Sequence, residues 1–153
     1  MKADSGNLIE QYKLYVEMAD RISQRRVQTN RFFISVLSGL IAFVSIFVQG
    51  KIASVGTHEI LLAVAILGIV LDIIWFIHIR SYRQLNTAKF EVIHEMEKEL
   101  PFACYSREWE HLGKGKDRKK YYQLTRIEKY VPFVLTIPFL FFLVFSIYRF
   151  AGC

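Results

Sequence analysis

Hydrophobic residues in this chain gather into three long blocks, residues 32–48, 60–79 and 131–148, separated by strongly polar stretches. Each block is long enough to cross a hydrocarbon core about 30 Å thick, at about 1.5 Å of helical rise per residue. The pattern predicts an all-α integral membrane protein with three transmembrane helices. In order, the segments are an amphipathic helix over 1–30, a first span over 31–49, a short loop over 50–58 and a second span over 59–80. A polar helix and connector over 81–130, a third span over 131–150 and a tail over 151–153 follow.

The polar stretches carry their own periodicity. Leu8, Tyr12, Tyr15, Ala19 and Ile22 recur at four- and three-residue spacing, an apolar seam opposite Glu10, Lys13, Glu17, Asp20, Arg21 and Arg25. Asp4 or Ser5 can cap this helix. The seam packs either on the protein's own polar segment or, as a short coiled coil, on a neighbouring subunit. Beyond the second span the helix is expected to continue as a stalk, with Leu85, Ala88, Val92, Met96 and Leu100 on one face and Lys89, Glu91, Glu95 and Lys98 on the other. Pro101 is expected to end it. Ser106, with Trp109 and Glu110, is expected to open a short helix that Gly113 closes.

Composition agrees with a membrane protein: 53% of the 153 residues are apolar and 15% aromatic. The net charge of +6 would suggest acidic partners in a soluble protein, but its distribution points elsewhere. Six Lys/Arg lie between Lys2 and Arg31 and twelve between Arg80 and Lys129, leaving only Lys51 and Arg149 on the other side. Basic residues accumulate in cytosolic loops, so the amino terminus and the 81–130 segment are expected in the cytosol, the loop and the carboxyl terminus outside. No signal-peptide pattern opens the chain. On this topology Cys104 and Cys153 lie on opposite sides and cannot pair, and terminal Cys153 lacks a prenylation motif.

Asp72 is the one carboxylate within the apolar blocks. Placing it at the centre of a span costs about 2.5 to 3.5 kcal/mol, so it is expected to face other helices or a wet cavity. By helix rise it lies about 12 Å below Arg80. Gly39, beside Ser38, and Pro138 fall at the same depth in the other two spans, so the four are expected to share one polar layer. Asp72 would bond Ser38 or backbone there, or join a ring of equivalent carboxylates across subunits. It serves either as interhelical glue or as part of an ion or proton path. The small residues Ser35, Ser38, Gly39 and Ala42 are expected to form a helix contact face.

Arg25, Arg26 and Arg31 sit where the first helix meets the headgroups, as anionic-lipid contacts or as routine topology-setting charges. Trp109, Gly113, Gly115 and Lys116 are the candidates for docking a partner. His94, Glu95 and Glu97 lack the second histidine of a zinc signature, which leaves His94 as a solvated side chain. The glycine-basic turn at 113–117 lacks the preceding strand and the ending of a phosphate loop. The basic run 114–120 has no recognisable nucleic-acid fold around it, so a solvated loop is expected rather than nucleic-acid binding. No catalytic residue, cofactor or metal is expected.

The polar helix LIEQYKLYVEMADRISQRRVQTNRFF, two hairpin spans, the segment NTAKFEVIHEMEKELPFACYSREWEHLGKGKDRKKYYQLTRIEKYVP and a last span resemble, in that order, the RipA family of bacterial octameric membrane proteins. The most specific parts are Leu100-Pro101, Glu108-Trp109 with Leu112-Gly113 and Gly115, and Thr125, Ile127 and Glu128 before Val131-Pro132. The resemblance implies a homo-oligomeric ring, with eight subunits, in the bacterial cytoplasmic membrane, associated with growth inside host cells. It supplies no catalytic residue and no ligand. A looser similarity runs to small two-span effectors that permeabilise membranes, from which the third span and the long connector depart. Two functions follow as expectations: a membrane scaffold or regulator that docks a cytosolic protein, and a channel with an Asp72-lined path. An enzyme is not expected.

Overall fold

The computed structural model describes residues 5–49, 57–116, 119, 121 and 124–151. Asp4, residues 50–56 of the expected loop, Tyr122, Cys153 and part of the basic run 114–120 lie outside the described residues. Among the described residues every regular element is helical, and there is no strand. The elements are α1 (Ser5–Gln49), α2 (Thr57–Glu97), α3 (Cys104–His111), a 3-10 turn (Gly113–Gly115), α4 (Thr125–Glu128) and α5 (Val131–Ala151). Three of them, α1, α2 and α5, are long and apolar enough to cross a membrane.

α1 joins its polar start to an apolar second half in 45 unbroken residues, and α2 does the reverse in 41. Neither junction contains a glycine or proline, so nothing interrupts the i to i−4 ladder as the side chains change character. The chain divides into two compact units, a polar one of Met1–Val27 with Arg80–Ile127 and an apolar one of Gln28–Ile79 with Glu128–Cys153.

In the apolar unit three helix faces meet. α1 contributes Phe33, Leu37 and Val44, α2 contributes Leu61, Val64, Trp75 and Ile79, and α5 contributes Phe139. Along α1 and α2 these positions recur at three, four, seven or eleven, all repeats of a single helix face. Trp75 is 1% exposed. Its indole N–H donates to Asn30 Oδ1 at 2.9 Å and its ring stacks on Phe33, with centroids 5.8 Å apart. A buried indole needs such an acceptor, because its donor has no water to return to. The outward side chains, among them Ile46, Phe141, Val144 and Ile147, are apolar as well. Only acyl chains or a neighbouring subunit can cover such a surface without cost.

In the polar unit the α1 seam faces inward as its spacing predicts: Ala19 and Ile22 are buried, while Leu8, Tyr12 and Tyr15 are half-buried. The α2 face agrees with the expected one at Val92, Met96 and Leu100, which are half-buried, and at Glu91, Glu95 and Lys98, which are exposed, and departs from it elsewhere. Leu85 and Ala88 are exposed, whereas Lys89 and Phe90 are half-buried and Ile93 and Glu97 are buried. Phe90 meets the Tyr105 ring edge-on at 5.5 Å, and Lys89 carries its ammonium 4.5 Å above the Tyr15 ring. A lysine can occupy a semi-buried position when its stem covers apolar surface and its charge rests on an aromatic face. α2 also ends at Glu97, three residues before Leu100, so Pro101 follows the helix without being its last stop.

Candidate functional site

The membrane carboxylate lies on the inward face of α2, 3% exposed. Its partner comes from α5: the Thr136 hydroxyl donates to Asp72 Oδ2 at 3.0 Å and stands 2.9 Å from the carbonyl of Pro132. One hydroxyl proton therefore serves two acceptors. The other carboxyl oxygen, Oδ1, is buried with no hydrogen-bond partner. The expected bond to Ser38 does not form. Inward positions of α1 are Phe33, Leu37 and Val44, and Ser38, one residue past Leu37, is turned about 100° away and exposed.

Gly39 is likewise exposed, and a Cβ built there meets nothing within 4 Å, so it is not the glycine of close approach in the protomer. That role belongs to Gly68 on α2, whose missing Cβ leaves the space the Phe139 ring fills. The face of Ser35, Ser38, Gly39 and Ala42 stays open within the protomer. Pro138 is half-buried inside α5, two residues beyond Thr136. Depth in the bilayer located the right region of α5 but not the right side chain. Thr136 is the only threonine in the third span, a hydroxyl as visible in the sequence as the proline.

Thr136→Val keeps the shape and removes the hydroxyl, which leaves both Asp72 oxygens without a partner. It is expected to cost about 1–3 kcal/mol. Asp72→Asn keeps an acceptor for Thr136 and adds a donor, and should cost less than about 1 kcal/mol. Unfolding of the detergent-solubilised protein gives the order of the two; the reverse order would contradict this geometry.

The polar unit is organised by a residue that sequence reading met only as a failed metal ligand. Glu97, 2% exposed, closes α2 and caps α3. Its Oε1 accepts the Tyr105 backbone N–H at 2.6 Å and the Tyr12 hydroxyl at 3.1 Å. Oε2 accepts the Ser106 backbone N–H at 2.9 Å and the Ser106 hydroxyl at 2.7 Å. The first residues of a helix leave their N–H groups without partners inside it, and a carboxylate is the strongest acceptor available to them. Burial on its own would push the Glu97 carboxyl up. The Ser106 hydroxyl, the two backbone N–H groups and the Tyr12 hydroxyl outweigh it and hold the group below its ordinary 4.5. The Tyr12 hydroxyl is held firmly protonated, by burial first and then by its bond to Glu97.

Ser106 is therefore not the cap that its position suggested. α3 starts at Cys104, and the capping oxygen arrives from Glu97, a residue nine positions upstream whose reach is not encoded in local spacing. Gly113 does follow the C-cap Leu112 and takes a positive φ of 67°, and Lys114 and Gly115 continue it at 53° and 69°. Three successive left-handed residues need glycine at most positions, which accounts for the Gly-Lys-Gly order.

Of the docking candidates, Trp109 is 36% exposed with its ring edge-on to Tyr121 at 6.5 Å, and Lys116 is exposed. Gly113 is half-buried and Gly115 buried, so they shape the turn and offer no side chain. Beside them a cleft of about 300 Å³ is lined by His94, Glu97, Lys98, Trp109, Glu110 and Lys114, among others. His94 is half-buried there, against the expectation of a solvated side chain. Arg25 and Arg31 are exposed on α1, whereas Arg26 is half-buried and already engaged. Among the described residues no group of three His, Cys, Asp or Glu side chains is placed to hold a metal ion.

A family model described as the octameric membrane protein family (8xMP) matches residues 9–148, nearly the whole chain. No curated protein and no solved structure matches it.

Proposed function

Because the chain belongs to the octameric membrane protein family, we propose that it assembles as a homo-octamer in the bacterial cytoplasmic membrane and acts there as a non-enzymatic scaffold or regulator. In this reading the polar unit lies in the cytosol, where the basic residues of 1–30 and 81–130 place it, and docks a protein partner. A role in adaptation to stress or intracellular growth, as the RipA resemblance implies, fits such a scaffold.

One observation carries the preference for scaffold over channel. The intramembrane carboxylate is 3% exposed and takes a hydrogen bond, at Oδ2, from Thr136 of its own protomer. A residue lining a conduction path would present its charge to water or to the symmetry axis. The exposed chemistry lies instead in the polar unit, where Trp109 stands beside a basic turn at the edge of a cleft. Tryptophan is among the residues most enriched in interface hot spots.

The test is genetic. Trp109→Ala and Lys116→Ala, introduced into a deletion strain of the source bacterium, are expected to assemble to the wild-type mass and to fail in complementation. Full complementation by both would count against docking through this surface.

A further inference from the structure

A second cleft, of about 400 Å³, lies on α2 immediately after the apolar span and is lined by Arg80, Arg83, Gln84, Thr87, Ala88 and Glu91. We infer that this cleft binds the phosphate of an anionic phospholipid headgroup, held by Arg80 and Arg83. Both arginines are exposed, and neither has an acidic partner among the described residues. They stand three residues apart on one helix face, a spacing at which like charges repel unless an anion lies between them.

The remaining lining completes a phosphate site. Gln84 is four residues from Arg80 and Thr87 four from Arg83, so an amide and a hydroxyl share the face with the two guanidinium groups. Guanidinium groups offer paired N–H donors that match phosphate oxygens, and they keep their charge at any physiological pH. Ala88 adds little bulk to the lining. Glu91 at the far end marks its limit, because a phosphate avoids a carboxylate. The occupant is a lipid because Arg80 directly follows the last apolar position of the span, Ile79, at the depth where phospholipid phosphates lie. This inference is independent of protein docking through Trp109.

Native mass spectrometry of the full-length protein, released from detergent micelles doped with phosphatidylglycerol or phosphatidylcholine, tests it. Wild type is expected to retain phosphatidylglycerol selectively. At about 1 kcal/mol per basic residue near an anionic headgroup, Arg80→Gln with Arg83→Gln should weaken retention about thirty-fold. Arg21→Gln with Arg107→Gln removes the same charge from exposed positions elsewhere and should leave most of the selectivity. Ala88→Leu fills the cleft without touching charge and should also reduce retention, which separates a built site from a misfolded variant. Equal losses in the two arginine pairs, or unchanged retention in Ala88→Leu, would overturn the inference in favour of general surface attraction. Displacement of the lipid by inorganic phosphate at equal concentration would overturn it in favour of a soluble phosphate ligand.

Discussion

Gly68→Leu is expected to abolish the folded apolar unit, and Gly68→Ala to destabilise it by about 1–3 kcal/mol. The Phe139 ring occupies the place a Cβ would take, and Phe139 is itself 0% exposed, so neither side has room to yield. In a bilayer the hydrophobic effect drives little helix association, and close packing of this kind supplies much of what holds spans together. Combining Gly68→Ala with Phe139→Leu should recover part of the loss by removing the ring from the contact. Gly39→Ala is the natural comparison, since a Cβ there meets nothing in the protomer. Unfolding of the purified protein in detergent measures all four. If Gly68→Ala matched wild type, the α2 to α5 packing would be wrong.

The second large effect is expected at Glu97. Glu97→Ala strands two backbone N–H groups and the hydroxyls of Tyr12 and Ser106, each worth about 1–3 kcal/mol when buried without a partner. Water reaching the loop returns part of this, leaving a cost of about 3–5 kcal/mol for the polar unit. Glu97→Gln should lose less, because its amide oxygen still accepts while its NH₂ faces donors. Hydrogen exchange at the Tyr105 and Ser106 amides is expected to accelerate in both variants, and proteolysis to begin between Lys98 and Trp109. Protection equal to wild type in Glu97→Ala would remove Glu97 from its capping role.

The same carboxylate makes the polar unit acid-sensitive. Its pKa in the folded state lies below the ordinary 4.5, so its contribution is fully present above that value. As pH falls below 4.5 and through the depressed folded value, the contribution is lost. Acid unfolding of the polar unit should therefore be shallower in Glu97→Gln than in wild type.

Much of the architecture is legible in the sequence because it rests on two strong signals. Apolar runs of about twenty residues report the spans, and the seam from Leu8 to Ile22 reports an inward helix face through its spacing alone. The stalk face misled because Lys89 and Glu97 look like solvent-facing residues. One is stabilised by the Tyr15 ring, distant in the chain, and the other by four hydrogen-bond donors, the distant Tyr12 hydroxyl and three from Tyr105 and Ser106 just beyond the turn. Asp72 could be singled out by the cost of a carboxylate in hydrocarbon. Its partner could not, because a common depth does not say which way each helix is rotated, and rotation decides between Ser38 and Thr136. Gly68 is hidden for the same reason: a glycine in a span shows its purpose only when the ring opposite is known.

Ion flux through the purified wild-type protein in liposomes, set beside Asp72→Asn, tests most directly whether Asp72 is glue within a scaffold. The account predicts no flux attributable to Asp72, with both proteins assembled and indistinguishable. A cation current in wild type that Asp72→Asn abolishes while the assembly stays intact would contradict it.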